Sequence, residues 1–300
     1  MKTKTYLFAL MAMAFTLGSC SDNENGIGSE TSKYITVSTN IGNMTRVATD
    51  ANGGQTFEEG DEISVYAWTG APTVAPETSE RVVNNAINKL TNGSWVSTPQ
   101  MLWKNNRDKH YFIGVYPTAA ISDLSAGEYT FDVNKQTESD LLVAVNPDGL
   151  SYSADAQQTV PLTFTHVMAK LAVNLTYKNQ WGGIPTVEKV VVGNAAKEAT
   201  INYLTKVVTP STTAKEDFSL PEITENTKYV SVIIPQEEVK QLTIVIGGKN
   251  FVYDNGTPFK LESGKITTVN LEVGRDEIKL GDVKITDWED GSTFSGEAIN

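Results

Sequence analysis

The 300-residue sequence is poor in the residues that most often carry chemistry: it has one cysteine, Cys20, and two histidines, His110 and His166. A lone thiol closes no disulfide within its chain, and one Cys with two distant His is too few for a Cys/His metal site. No metal and no cofactor is expected, and a hydrophobic core has to hold the fold unaided. Also missing are a Gly-x-Ser-x-Gly elbow, a His-Glu-x-x-His pair, a phosphate-cradling glycine loop and a calcium-loop pattern. Positive charge is scarce: 24 Lys and Arg stand against 36 Asp and Glu, a formal charge of −12. That balance argues against a nucleic-acid partner and against electrostatic docking on anionic lipid. Beyond the first twenty residues no apolar run approaches membrane-spanning length.

The two histidines each lie in an alternating apolar run and read as hydrogen-bonded structural groups. Glu58-Glu59 with Asp61-Glu62, and Asp287 with Glu289-Asp290, could in principle flank a glycoside as paired carboxylates. In a chain this acidic, such clusters read as solvated turns, and no enzyme is expected.

Cys20 has a better explanation in its flanks. Lys2 and Lys4 form a positive region, Tyr6 to Leu17 an apolar one, and Leu17-Gly18-Ser19-Cys20 supplies small residues for a peptidase, the pattern of a secretory leader. Leu-Gly-Ser-Cys also resembles a bacterial lipobox, which predicts cleavage between Ser19 and Cys20 and lipid attachment at Cys20. The polar residues after it, Ser21 to Ser29, read as a flexible tether, and their acidic start resembles a surface-export signal. The expected address is the outer membrane, with contact through the lipid anchor alone.

Alternation of apolar and polar residues dominates the rest. Ile35–Ile41, Glu62–Trp68, His110–Tyr116, Glu128–Val133, Leu141–Val145, Val187–Val192, Thr200–Val208, Lys228–Ile234, Leu242–Ile246, Asn250–Tyr253, Ile266–Val273 and Val283–Trp288 all read as strands. They are rich in Val, Ile, Thr and Tyr and bounded by turn formers. Asn92-Gly93, Asp148-Gly149, Gly247-Gly248, Asn255-Gly256 and Ser263-Gly264 read as turns. Leu162–Tyr177 is long enough for a helix, but its β-branched residues predict one long strand or two strands meeting near Met168. The reading is all-β with sandwich spacing. A boundary is expected at Thr159-Val160-Pro161, where Pro161 would interrupt a ladder. The predicted division is a leader (1–19), a lipidated tether (20–30), an N-terminal sandwich (31–160) and a C-terminal sandwich (161–300).

Several stretches together resemble the fimbrillin family, the Mfa-like and FimA-like pilins of type V pili. They are Cys20, the early strand Ile35–Ile41, Met44-Thr45-Arg46, Phe57–Val65, His110–Pro117, Asp140–Ala144, Leu162–Val173 and Ile285-Thr286-Asp287-Trp288. The resemblance implies two transthyretin-like β-sandwich domains in tandem and a fimbrial subunit or adhesin that assembles with other fimbrial subunits by donor-strand exchange. It also implies an arginine-specific protease as a partner, with the candidate bond between Arg46 and Val47 and the displaced strand carried by Ile35, Val37 and Ile41. Arg46 is the only Arg between Cys20 and Arg81, and the small polar residues around it suit an accessible loop. The terminal Gly291–Asn300, with Phe294, Ala298 and Ile299 as its anchors, departs from a well-alternating donor strand. Val283–Trp288 alternates better. A host or bacterial surface ligand is a possible further partner. A second reading stays open: the five Trp residues could form a stacking platform of a surface glycan-binding lipoprotein that does not polymerise.

Overall fold

The computed structural model describes residues 33–42, 56–153 and 158–288, with the backbone alone at 255–257. The alternating runs form strands β1 (Thr36–Ile41), β2 (Glu62–Thr69), β3 (Val83–Thr91), β4 (Ser94–Thr98), β5 (His110–Tyr116), β6 (Gly127–Thr130), β7 (Leu142–Leu150) and β8 (Thr159–His166). The second half adds β9 (Ala169–Tyr177), β10 (Val187–Ala196), β11 (Glu198–Asn202), β12 (Val207–Pro210), β13 (Lys215–Ser219) and β14 (Glu222–Thr224). It closes with β15 (Lys228–Ile233), β16 (Gln236–Ile246), β17 (Lys249–Leu261), β18 (Lys265–Val273) and β19 (Ile278–Asp287). Among the described residues the only helical elements are short 3-10 turns such as Thr78–Glu80, so the fold is all-β.

Seven strands make the first sheet, in the order β1-β8-β7-β5-β2-β3-β4. Its central strands are buried on both faces. In β2, Ile63, Val65 and Ala67 enter one hydrophobic cluster while Tyr66 and Trp68 enter another. In β5, Phe112 joins the first and Tyr111, Ile113 and Val115 the second. Such two-sided burial explains why β2 and β5 read as near-continuous apolar runs rather than clean alternation. Gly114 interrupts β5 because Phe164 of β8 crosses there: a Cβ at Gly114 would stand 2.6 Å from the Phe164 Cζ atom.

The other sheets are β14-β15-β9-β18-β19, β13-β10-β16-β17 and β12-β11-β6. The last pairs β6, from early in the chain, with β11. The larger cluster runs without a break from Tyr66, Trp68 and Ile113 through Leu171, Val192 and Ile244 to Val273 and Trp288. The early and late strands therefore share a sheet and a core.

Leu162–Tyr177 is two strands, with Val167 and Met168 carrying the chain from the first sheet into the five-stranded one. Pro161 lies inside β8, opposite Ser38 of β1. It does not break that strand, because β8 pairs with β7 only from Phe164 onward, which leaves Pro161 a neighbour on one side alone. Asn92-Gly93 and Gly247-Gly248 are two-residue hairpin turns with φ of 51° and 73°, and 59° and 71°, the paired positive values of a type I′ turn. Asp148-Gly149 and Asn255-Gly256 are not turns but lie within β7 and β17, beside register shifts in their ladders. At Gly149 the ring of Tyr111 occupies the place of a Cβ, 2.7 Å away at Cε1. The signal there marks a bulge rather than a reversal.

Candidate functional site: the seam closed by the first strand

The seven-stranded sheet curls until its two edges meet, and β1 lies in the seam. Along one side β1 runs parallel to β8, from Thr36 opposite Thr159 to Ile41 opposite Phe164. The Gly42 amide extends this ladder by donating to the Phe164 carbonyl at 2.7 Å. Along the other side, the Ile35 amide donates to the Met101 carbonyl at 3.0 Å and the Trp103 amide to the Lys33 carbonyl at 3.2 Å. Farther along, the Trp95 indole Nε1 of β4 donates to the Thr39 hydroxyl at 3.0 Å.

Alternation settles which side chains point inward. Ile35, Val37 and Ile41 are buried in the cluster that includes Ile63, Val65, Val160, Leu162 and Phe164, while Ser38 and Asn40 face solvent. All three inward residues named from the sequence are thus brought together. Burying each stabilises the seam by about 1.5–3 kcal/mol, before the entropy of ordering the segment is subtracted. An open groove of about 530 Å³ follows the strand, with Phe57, Leu90, Trp95 and Thr159 among its walls. Phe57 packs edge-on against Trp95, Tyr116 and Phe164, at centroid distances of 5.3, 5.4 and 5.1 Å. The sequence offered Phe57 only as the head of a motif. Its role as the aromatic stop at the groove depends on partners scattered over more than a hundred positions.

Cys20, Ser19, Arg46 and Val47 lie outside the described residues, as do the tether and the terminal Gly291–Asn300. Val283 and Ile285 are placed in β19, paired along its length with β18.

The other candidates resolve into structural roles. Glu59 caps the Asn92-Gly93 turn, accepting from the Asn92 amide at 2.7 Å. Asp61 accepts from the Glu58 amide at 2.7 Å, and Glu62 pairs with Lys89 at 3.0 Å. Asp287 lies 3.4 Å from Lys265. His110 accepts from the Lys104 amide at Nε2 (3.0 Å) and places Nδ1 3.1 Å from the Asp108 carbonyl. Burial holds its pKa below the usual imidazole value. His166 contacts Asp140 Oδ1 through Nδ1 at 2.8 Å and lies flat on Trp288, with centroids 4.1 Å apart and planes 6° from parallel. The Lys170 ammonium sits 4.0 Å from the Trp288 ring centroid.

Trp68, Trp103 and Trp288 are buried, and Trp95 and Trp181 half-buried. Every Trp and Tyr among the described residues is buried or half-buried. No group of three or more His, Cys, Asp or Glu among the described residues could hold a metal ion. No described helix is long and apolar enough to cross a membrane.

An all-β body whose first described strand is inserted at a sheet seam has the form of a structural module built around strand pairing. The fimbrillin-like family model matches residues 45–288, and the chain belongs to that family. It is accordingly a non-enzymatic subunit of surface fimbriae, which associates with other fimbrial subunits. Its fold is shared with a crystal structure from Bacteroides ovatus described as a cell adhesion protein: 18% identity, 86% of this chain and 98% of that one, TM-score 0.63. A second, from Bacteroides uniformis and described likewise, has 20% identity, covers 78% and 94%, and gives a TM-score of 0.59. A fimbrial protein from Bacteroides vulgatus has 13% identity, covers 86% and 100%, and gives 0.52. No curated protein matches.

Proposed function

We propose that the chain is a lipid-anchored fimbrial subunit that becomes competent for assembly when its first strand is removed. Lipidation at Cys20 holds it at the outer membrane, in line with the lipobox-like Leu17-Gly18-Ser19-Cys20. An arginine-specific protease cuts between Arg46 and Val47, and the segment carrying Ile35, Val37 and Ile41 leaves. A strand from another subunit then fills the seam, pairing with the backbone of β8 and restoring the cluster. The division into an N-terminal sandwich (31–160) and a C-terminal one (161–300) belongs to the same proposal, except that β8 (Thr159–His166) stays whole in the first sheet beside β1, which completes that sandwich. An adhesive role, suggested by the names given to the Bacteroides ovatus and Bacteroides uniformis proteins, is part of the same proposal.

The observation that carries the reading is the position of β1. It is the strand nearest the N-terminus among the described residues and sits at the edge of its sheet. It can therefore be withdrawn without unthreading any other described strand. While the connection is intact, its high effective concentration excludes competitors; cutting it removes that advantage. The test is the mass of the mature N-terminus on cells, with fimbriae counted in parallel. The proposal expects lipidated Cys20 on the precursor, Val47 as the N-terminus in fimbriae, and loss of assembly in Arg46→Ala. Normal fimbriae from Arg46→Ala, or membrane fractionation unchanged by Cys20→Ala, would overturn the corresponding half.

A further inference from the structure

The seam does more than accept an extended strand, because three of its contacts depend on which side chains that strand carries. The inward positions filled by Ile35, Val37 and Ile41 are apolar. The inward position between the last two is not: it holds Thr39, whose hydroxyl accepts from the Trp95 indole at 3.0 Å. Phe57 lies edge-on against that indole at 5.3 Å and so fixes the direction of its N–H. Both Phe57 and Trp95 follow Arg46 in the chain. The donor therefore stays with the body when the first strand goes, and an apolar side chain in the Thr39 position would leave a partly buried N–H unpaired. The eighth position, Gly42, is close-fitting: a Cβ there would stand 2.7 Å from Thr163 Cγ2, so the Thr163 side chain would have to shift to admit any larger residue.

We infer that the groove selects its strand by side-chain sequence. The incoming segment runs parallel to β8 with apolar residues at the first, third and seventh positions, a hydroxyl at the fifth and glycine at the eighth. In this chain only Ile35-Thr36-Val37-Ser38-Thr39-Asn40-Ile41-Gly42 has that pattern. In β19, Val283 and Ile285 are followed two residues apart by Asp287 and Glu289, which would put a second acid where the seam requires an apolar residue. No segment after Arg46 has that pattern, so the replacing strand is supplied by a polypeptide of different sequence, not by a second copy that has itself lost its first strand. This rests on the strand-replacement reading above.

The test has two parts. In the intact chain, Thr39→Val, Trp95→Phe and the double variant are compared by urea unfolding. The contact predicts that the two substitutions are non-additive. Thr39→Val should weaken folding about three- to tenfold while Trp95 is in place, and much less once Trp95→Phe has removed the donor. Additive effects would overturn the selectivity while leaving strand replacement standing. In the second part, the chain is cut by an arginine-specific protease, and synthetic peptides are offered to the body that remains. These are residues 33–42, the same peptide with Thr39→Ser, Thr39→Val or Gly42→Ala, and residues 278–289. The expected result is capture of the parent and Thr39→Ser peptides, weaker capture of the Thr39→Val and Gly42→Ala peptides, and none of 278–289. The Trp95→Phe protein should not discriminate the parent from the Thr39→Val peptide. Equal capture of those two by the unsubstituted body, or capture of 278–289 as tight as the parent, would overturn the inference. If the first strand has left and no peptide binds, parent included, strand replacement itself fails and the inference falls with it.

Discussion

Gly114 shows how narrowly single positions are set. With no side chain of its own, it admits the Phe164 ring, which in turn meets Phe57 at the groove. Gly114→Ala is expected to destabilise by about 1–3 kcal/mol through overpacking, measurable as a lower urea midpoint with an unchanged slope. His110 makes a pH-dependent contribution. Its ordinary value is 6.5 and burial lowers it in the folded chain, so the unfolded chain binds the extra proton more readily. Stability from this residue is complete above about 6.5 and is lost as pH falls from there toward the lowered folded value. Protonation also removes the Nε2 lone pair that accepts from the Lys104 amide. Unfolding midpoints compared between pH 7.5 and 5.5 should fall more in the wild type than in a His110→Asn variant; equal falls would contradict the assignment. At this scale the sequence was informative about Ile35, Val37 and Ile41, because period-two alternation is local. It was silent about Thr39, Phe57 and Trp95, because their contacts join positions far apart in the chain and no spacing rule connects them.

At the scale of elements, strands with regular alternation and β-branched residues were legible, and β5 has the limits that its pattern suggests. β3 escaped the reading because Asn84, Asn85, Asn88 and Lys89 dilute its pattern; Asn88 is nevertheless buried, donating to the Ala86 carbonyl at 3.0 Å. β13 escaped because an edge strand needs few anchors, and Phe218 is its sole buried residue. The Gly149 bulge looked like a turn since both place glycine at positive φ. The end of β19 is fastened by Trp288, which stacks on His166 and whose amide donates to the Gly264 carbonyl at 3.1 Å. Trp288→Ala is expected to cost about 3 kcal/mol and to raise amide exchange selectively along β19 and its partner β18. Uniform loss of protection over all sheets would instead place Trp288 in the global core alone.

For the whole molecule, two features combine. One continuous core joins the early and late strands, so the body has an anchor independent of β1. The seam cluster around β1 is separate and smaller, so opening it leaves the larger core covered. The proposed strand replacement requires such a partition, because the body would have to survive loss of a strand until a partner fills the seam. The most direct measurement is hydrogen exchange with intact mass on purified chain before and after an arginine-specific protease. The account predicts a body beginning at Val47, departure of the segment ending at Arg46, and loss of amide protection confined to β8 and residues 101–103, with β9, β16 and β18 unchanged. An Arg46 bond that resists the protease, or collapse of protection in those late strands once it is cut, would contradict it.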